Sequence, residues 1–302
     1  MSAEGTYYVP EQSKLPIFAS VGMGVMAYGI ASWMNGGSAT IFMIGALLMA
    51  FVLWTWFSIV IRENIEGKNS AQLKRSYVWG MGWFIFSEVM FFAAFFGALF
   101  YIRQISLAEL GGDGTTNSIL WEGFKDSWPL MVTPDMAVNG DNADVLGPAI
   151  NFSYAEAESI FTWLPFWNTV VLLISSFTVH FAHTALKNDK KKGLWGFNFW
   201  LGVTVALGIF FLCLQAAEYS HALHEGLFID SGAYGTTFYM LTGFHGAHVT
   251  LGTFMLLVMW IRSIRKNHFT HDDCFGFESA SWYWHFVDVV WLGLFIFVYI
   301  LG

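Results

Sequence analysis

Charge is what this chain lacks most. Only 12% of its 302 residues are Asp, Glu, Lys or Arg, while 56% are hydrophobic and 19% aromatic; an ordinary soluble domain carries about 25% charge. So few cations exclude a nucleic-acid binding surface, and so few charges of either sign exclude a disordered tail. Cysteine is equally scarce, with Cys213 in an apolar run and Cys274 in a polar segment. Neither a disulfide scaffold nor a thiolate metal centre with paired spacing is encoded. Of six prolines, Pro10, Pro16, Pro129, Pro134 and Pro148 fall between apolar runs, and Pro165 stands in the first turns of one, where a missing N–H is tolerated. No basic region leads into a short apolar core within residues 1–16, so no cleaved signal peptide is expected.

What is present is a series of apolar runs at 17–34, 38–61, 76–102, 159–186, 193–217, 233–261 and 279–302. Each is long enough to cross a hydrocarbon core of ~30 Å, and an isolated segment in lipid satisfies its backbone only as a helix. The pattern predicts an all-α integral membrane protein with seven transmembrane helices. Aromatic residues gather near several ends, as Trp54 and Trp56, Tyr77 and Trp79, Trp163 and Trp167, and Trp282, Tyr283 and Trp284. They read as interfacial belts, some of them doing ordinary helix packing. Twelve of the fourteen Lys and Arg fall in the N-terminal stretch and every second loop, and the other side holds only Arg103 and Lys125. By the positive-inside rule the N-terminus is cytoplasmic and the C-terminus external. The long connection 103–158 is then external and acidic, with nine carboxylates. The charged linker 62–76 divides a segment 1–75, with helices 1 and 2, from a five-helix bundle over 76–302. No internal repeat or inverted symmetry is visible.

Ionisable groups inside the membrane cost at least ~2.5 to 3.5 kcal/mol at mid-depth, so each needs a partner or a purpose. Glu88 lies eleven residues beyond Tyr77, or about 16 Å along a helix, near the middle of helix 3. Two readings stand: a carboxyl that handles protons or gates access, or a neutral acid hydrogen-bonded to a neighbouring helix. His285 and Asp288 share one face of helix 7 and are placed to pair. His180 and His183, and His245 and His248, repeat the i, i+3 spacing, which metal-binding bundles also use. Two haems would need two well-separated His on each of two helices, and these pairs lie within one turn. A retinal Schiff base would need a Lys in the last helix, and residues 279–302 have none.

Specific motifs go further. Phe275-Gly-Phe-Glu278 precedes Trp282-Tyr-Trp-His-Phe-Val-Asp-Val-Val-Trp291, and Thr242-Gly-Phe-His-Gly-Ala-His248 lies one helix earlier. To these add Ile61-Arg-Glu63, Phe86-Ser-Glu-Val-Met-Phe-Phe92, Asn168-Thr169, Ala182-His183 and Gln215-Ala-Ala-Glu-Tyr219. Together they resemble subunit III of the haem-copper cytochrome c oxidases, over every helix. The presence of helices 1 and 2 is similar to the cytochrome c branch rather than the quinol-oxidase branch.

The resemblance implies a subunit of a proton-pumping terminal oxidase that carries no haem, copper or other metal itself. It would pack beside the catalytic subunit I, with subunit II in the complex, in a bacterial inner membrane. Helices 1 and 2 would splay from helices 3–7, leaving a phospholipid-filled cleft. Trp56, Arg62, Glu63, Arg262, Arg265 and His268 match the positions that hold lipid in this family, and Glu88 matches its membrane carboxyl, on the side of subunit I. The implied role is structural and regulatory: lipid retention, proton uptake, oxygen access and durability. The external segment 103–158 is longer than the family pattern, and His221-Ala-Leu-His-Glu225 reads as a small insertion between helices 5 and 6. Either could meet subunit II, a small accessory subunit or a cytochrome c, and a plainly solvated acidic loop is the simpler expectation. The alternative from another class is a proton-coupled membrane transporter with Glu88 and Asp288 as carriers.

Overall fold

The computed structural model describes residues 12–112, 114–266, 268–270 and 273–302. Residues 1–11, part of the stretch on which the signal-peptide expectation rests, lie outside them. Ten helices and four short 3-10 or π turns make up the regular structure among the described residues. The long ones are α1 (Leu15–Met34), α2 (Thr40–Ile65) and α3 (Ala71–Tyr101). Short α4 (Leu107–Gly111), α5 (Thr115–Leu120) and α6 (Pro134–Asn139) follow. Then come α7 (Leu164–Lys187), α8 (Phe197–His224), α9 (Gly232–Lys266) and α10 (Phe275–Leu294). A π turn, Ile102–Ser106, carries α3 on into α4, and another, Phe295–Ile300, prolongs α10. Among the described residues seven helices are long and apolar enough to cross a membrane, as the hydropathy pattern predicts.

Their ends differ from the apolar runs. α2 continues to Ile65 and α3 starts at Ala71, which shortens the charged linker; α8 runs to His224 rather than stopping at 217. Hydropathy marks only the part of a helix that sits in hydrocarbon, whereas backbone hydrogen bonding propagates into the headgroup layer. His221 and His224, expected in a connection, form the last turn of α8.

The chain divides into two compact units, Met1–Met81 and Gly82–Gly302. In the first, α1 and α2 form an antiparallel hairpin built on glycine. A Cβ at Gly22 would meet the Met49 sulfur at 2.8 Å, one at Gly45 the Met26 nitrogen at 2.7 Å, and one at Gly29 the backbone nitrogen of Phe42. Apolar side chains gain little by leaving lipid for protein, so such close backbone approach replaces the hydrophobic drive of a soluble core.

In the second unit α7, α8, α9 and α10 pack in sequence, with α10 returning against α7. Two tryptophans of α10 fasten them. Trp284 lies against Gly208 of α8 and Gly252 of α9 and donates from Nε1 to Ser175 Oγ of α7 at 3.0 Å. Trp291 donates to Thr169 Oγ1 at 2.9 Å and meets Phe211 edge-on at 4.9 Å. The belt expected at Trp282, Tyr283 and Trp284 is therefore corrected: Tyr283 and Trp284 are fully buried and only Trp282 is exposed. A large ring opposite a glycine fills a groove that a smaller side chain leaves empty. The 82–101 portion of α3 joins this unit through aromatic contacts, with Phe84 stacked on Tyr283 and Phe91 edge-on to Phe244 at 5.0 Å.

The long connection after α4 is folded, not merely solvated. Thr133 caps α6 by accepting from Met136 N at 3.1 Å and donates to Val145 O at 2.6 Å. Phe152 N donates to Tyr234 Oη at 2.9 Å and Ala149 N to Gly226 O at 3.3 Å, which fixes the segment over the α8–α9 turn. Arg103, one of its two cations, lies 5.1 Å from the Trp128 ring and donates to Leu301 O at 2.6 Å.

Candidate functional site

Glu88 projects from α3 towards α9, where His248 Nε2 lies 2.8 Å from its Oε2. The other imidazole nitrogen, Nδ1, is 2.6 Å from the Phe244 carbonyl one turn back. A carbonyl only accepts, so Nδ1 carries a hydrogen. Nε2 and Oε2 then share a single proton: a neutral acid donating to a neutral imidazole, or an imidazolium donating to a carboxylate. Either way the pair is electrically neutral, which is what a site inside a membrane requires. Phe92 meets the His248 ring edge-on at 4.8 Å, and Tyr283 stacks at 6.4 Å. Side-chain exposure is 14% for His248 and 23% for Glu88, so the pair is walled by rings yet open on one side.

The expectation of a neutral, hydrogen-bonded Glu88 did not identify the partner, because His248 lies 160 residues away. The i, i+3 pair His245 and His248 is split in space. His245 is fully buried beside Trp291 and bonds Val287 O at 3.2 Å, while His248 serves Glu88. His180 and His183 are likewise divided, since His183 reaches Glu278 Oε1 at 3.2 Å, where Lys187 Nζ also bonds at 2.9 Å. Cys274 sits at the same end, 3.4 Å from Lys187 Nζ, and burial pushes its thiol up from the ordinary range. His285 and Asp288 do come together, at 3.6 Å, with Ser176 Oγ 2.9 Å from His285 Nδ1. Among the described residues no three His, Cys, Asp or Glu side chains gather as a metal-binding group.

Glu218 was missed. It is buried on α8, where Tyr299 Oη donates to its Oε1 at 2.6 Å and Asn168 Nδ2 to its Oε2 at 3.3 Å. Ending the helix at 217 placed this carboxyl outside the span. The signal was available in Gln215 and Glu218, three apart on one helical face.

Of the residues expected to hold lipid, Trp56, Arg62 and Glu63 belong to the first unit, with Trp56 exposed and Arg62 in the last turn of α2. Arg262, Arg265 and His268 belong to the second. Arg262 stacks 4.9 Å above the Phe269 ring, Arg265 is exposed and His268 is half-buried.

Seven apolar helices of membrane-crossing length among the described residues, with the Glu88–His248 pair between α3 and α9, define a multi-pass helical membrane protein. The profile of the family described as cytochrome c oxidase subunit III matches residues 5–119 and 159–302. The chain is 35% identical over 301 residues to the probable cytochrome c oxidase subunit 3 of Rickettsia felis, covering 98% of this chain and 95% of that one. It is 36% identical over 295 residues to cytochrome c oxidase subunit 3 of Latimeria chalumnae, covering 97% and 96%, and 35% identical to that of Dugong dugon at the same coverage. The chain belongs to the cytochrome c oxidase subunit III family, and is thus one subunit of an oxidoreductase complex. The profile passes over 120–158, the folded part of the long connection.

Proposed function

We propose that this chain is a structural and regulatory subunit of a proton-pumping terminal oxidase. Its partners, subunits I and II, hold the haem and copper that pass electrons from cytochrome c to oxygen. The chain itself supplies packing, lipid retention, oxygen access and support of proton uptake. Arg62 with Trp56 and Glu63, and Arg262 with Arg265 and His268, hold phospholipid: guanidinium groups bind phosphate bidentately and the apolar rings take acyl chains. The cation distribution supports a cytoplasmic N-terminus in a bacterial inner membrane.

One observation carries the regulatory part of this reading, the proton shared by Glu88 and His248 at 2.8 Å. Glu88→Gln tests it, because a Gln amide still donates to His248 Nε2 while the shared proton is gone. The variant oxidase is expected to assemble with normal haem spectra and keep most of its initial turnover, while pumping efficiency or durability during turnover falls. Complete loss of oxygen reduction in an assembled variant would make Glu88 catalytic. Parental pumping and durability would leave it a packing residue.

A further inference from the structure

The turn joining α7 to α8 is built unlike a simple connection. Asp189 and Trp195 hold positive φ, 55° and 78°, beside Gly193 at 97°. For a bulky residue such as Trp this region is sterically unfavourable and persists only when the surroundings impose it. Backbone bonds from Lys190 N to Ala185 O at 2.9 Å and from Phe197 N to Lys190 O at 2.8 Å impose it here. Burial does not repay the strain, since the Trp195 side chain is 63% exposed.

What that ring faces is a cavity of about 620 Å3, lined by Lys190, Lys191, Lys192, Asp189, Leu194 and Trp195. A second, of about 370 Å3, adjoins it at Lys190 and Trp195 and is lined by Phe181, Thr184 and Ala185 of α7 and Trp200 of α8. Trp200 links Trp195 at 5.4 Å to Phe181 at 5.0 Å, so one wall is a continuous aromatic strip. Phe181 lies six residues before the end of α7, about 9 Å deeper along the helix. The outer cavity is cationic, three ammonium groups against one carboxylate, and none of the three lysines is ion-paired among the described residues. Its mouth is lined by the loop lysines and its inner arm by apolar side chains of α7 and α8.

We propose that this double cavity binds an anionic phospholipid, its phosphate held by Lys190, Lys191 and Lys192 and an acyl chain laid along Trp195, Trp200 and Phe181. Basic pockets at helix ends hold acidic headgroups by this combination of charge and apolar wall. The proposal uses neither Arg62 nor Arg262.

Native mass spectrometry of the intact oxidase complex, washed in mild detergent, is the test. The Lys190→Gln, Lys191→Gln, Lys192→Gln triple variant is expected to lose an anionic phospholipid that the parent and an Arg62→Ala, Arg262→Ala variant both keep. Trp195→Asn leaves the charges in place and suits a left-handed backbone, so it assembles even if the triple variant inserts poorly, and it too is expected to lose the lipid. Phosphatidylglycerol added to stripped parent restores the adduct, and inorganic phosphate does not. Retention of the lipid in Trp195→Asn, or an adduct formed with inorganic phosphate as readily as with phosphatidylglycerol, would overturn the proposal.

Discussion

At the scale of single residues, the chain shows how a membrane protein deals with its few charges. Glu88 forms a pair with His248 that is neutral as a whole, and Glu218 accepts hydrogen bonds from Tyr299 and Asn168. Outside the membrane a carboxyl can be held ionised by local hydrogen bonds. Asp135, in the long connection, accepts from Val145 N at 2.9 Å and from Asn139 Nδ2 at 2.7 Å. These bonds, the Val145 amide first, hold its carboxyl below the ordinary range. A depressed folded value means that the stabilisation is complete above the unfolded pKa and disappears as pH falls through the folded one. Hydrogen exchange at the Val145 amide is therefore expected to quicken as pH is lowered through and below about 4, the ordinary Asp value, beyond the intrinsic pH trend. Asp135→Asn is expected to remove that excess. An Asn variant with the parent's pH dependence would show that Asp135 is not the titrating group. Such partners are tertiary facts: Glu88 and Glu278 find theirs on other helices, and Asp135 reaches Val145 beyond its own helix, where periodicity makes no connection.

Among the helices, the hydrocarbon-spanning stretches were legible because charge and apolarity are partitioned sharply along the chain. The ends were not, because helices run past the hydrocarbon. α2 carries Arg62 in its last turn and α9 carries Arg262 and Arg265 near its end, and cations at the ends of membrane helices are the ones that meet headgroups. Replacing Arg62 and Arg262 together by Ala is expected to reduce the phospholipid retained by the purified complex. Unchanged lipid phosphorus would reduce both residues to topology charges. The internal order of the bundle was also hidden in part. Aromatic residues of α10 look interfacial in sequence, yet Tyr283 and Trp284 are buried, since Gly208 and Gly252 open the space that Trp284 fills. Glycines one and two helices back along the chain carry no marker in the local pattern of α10.

For the whole molecule, the motifs spread over every helix made the family visible before the geometry did, and the family match over 5–119 and 159–302 agrees. The folded segment 120–158 lies beyond that match, so neither motif nor periodicity revealed that it caps the α8–α9 turn. Orientation is read by labelling intact spheroplasts with a membrane-impermeant maleimide, after Cys213 and Cys274 are replaced by Ala. Asp126→Cys is expected to label from outside and Lys190→Cys only after lysis, and the reverse pattern would invert the topology. The central claim, that this subunit sustains an oxidase whose chemistry lies elsewhere, is tested most directly on the complex assembled without this chain. Haem and copper content per subunit I and initial oxygen reduction are expected to stay near parental values, while activity decays faster during continuous turnover. Loss of a redox centre from that complex, or a turnover lifetime equal to the parent's, would contradict the account.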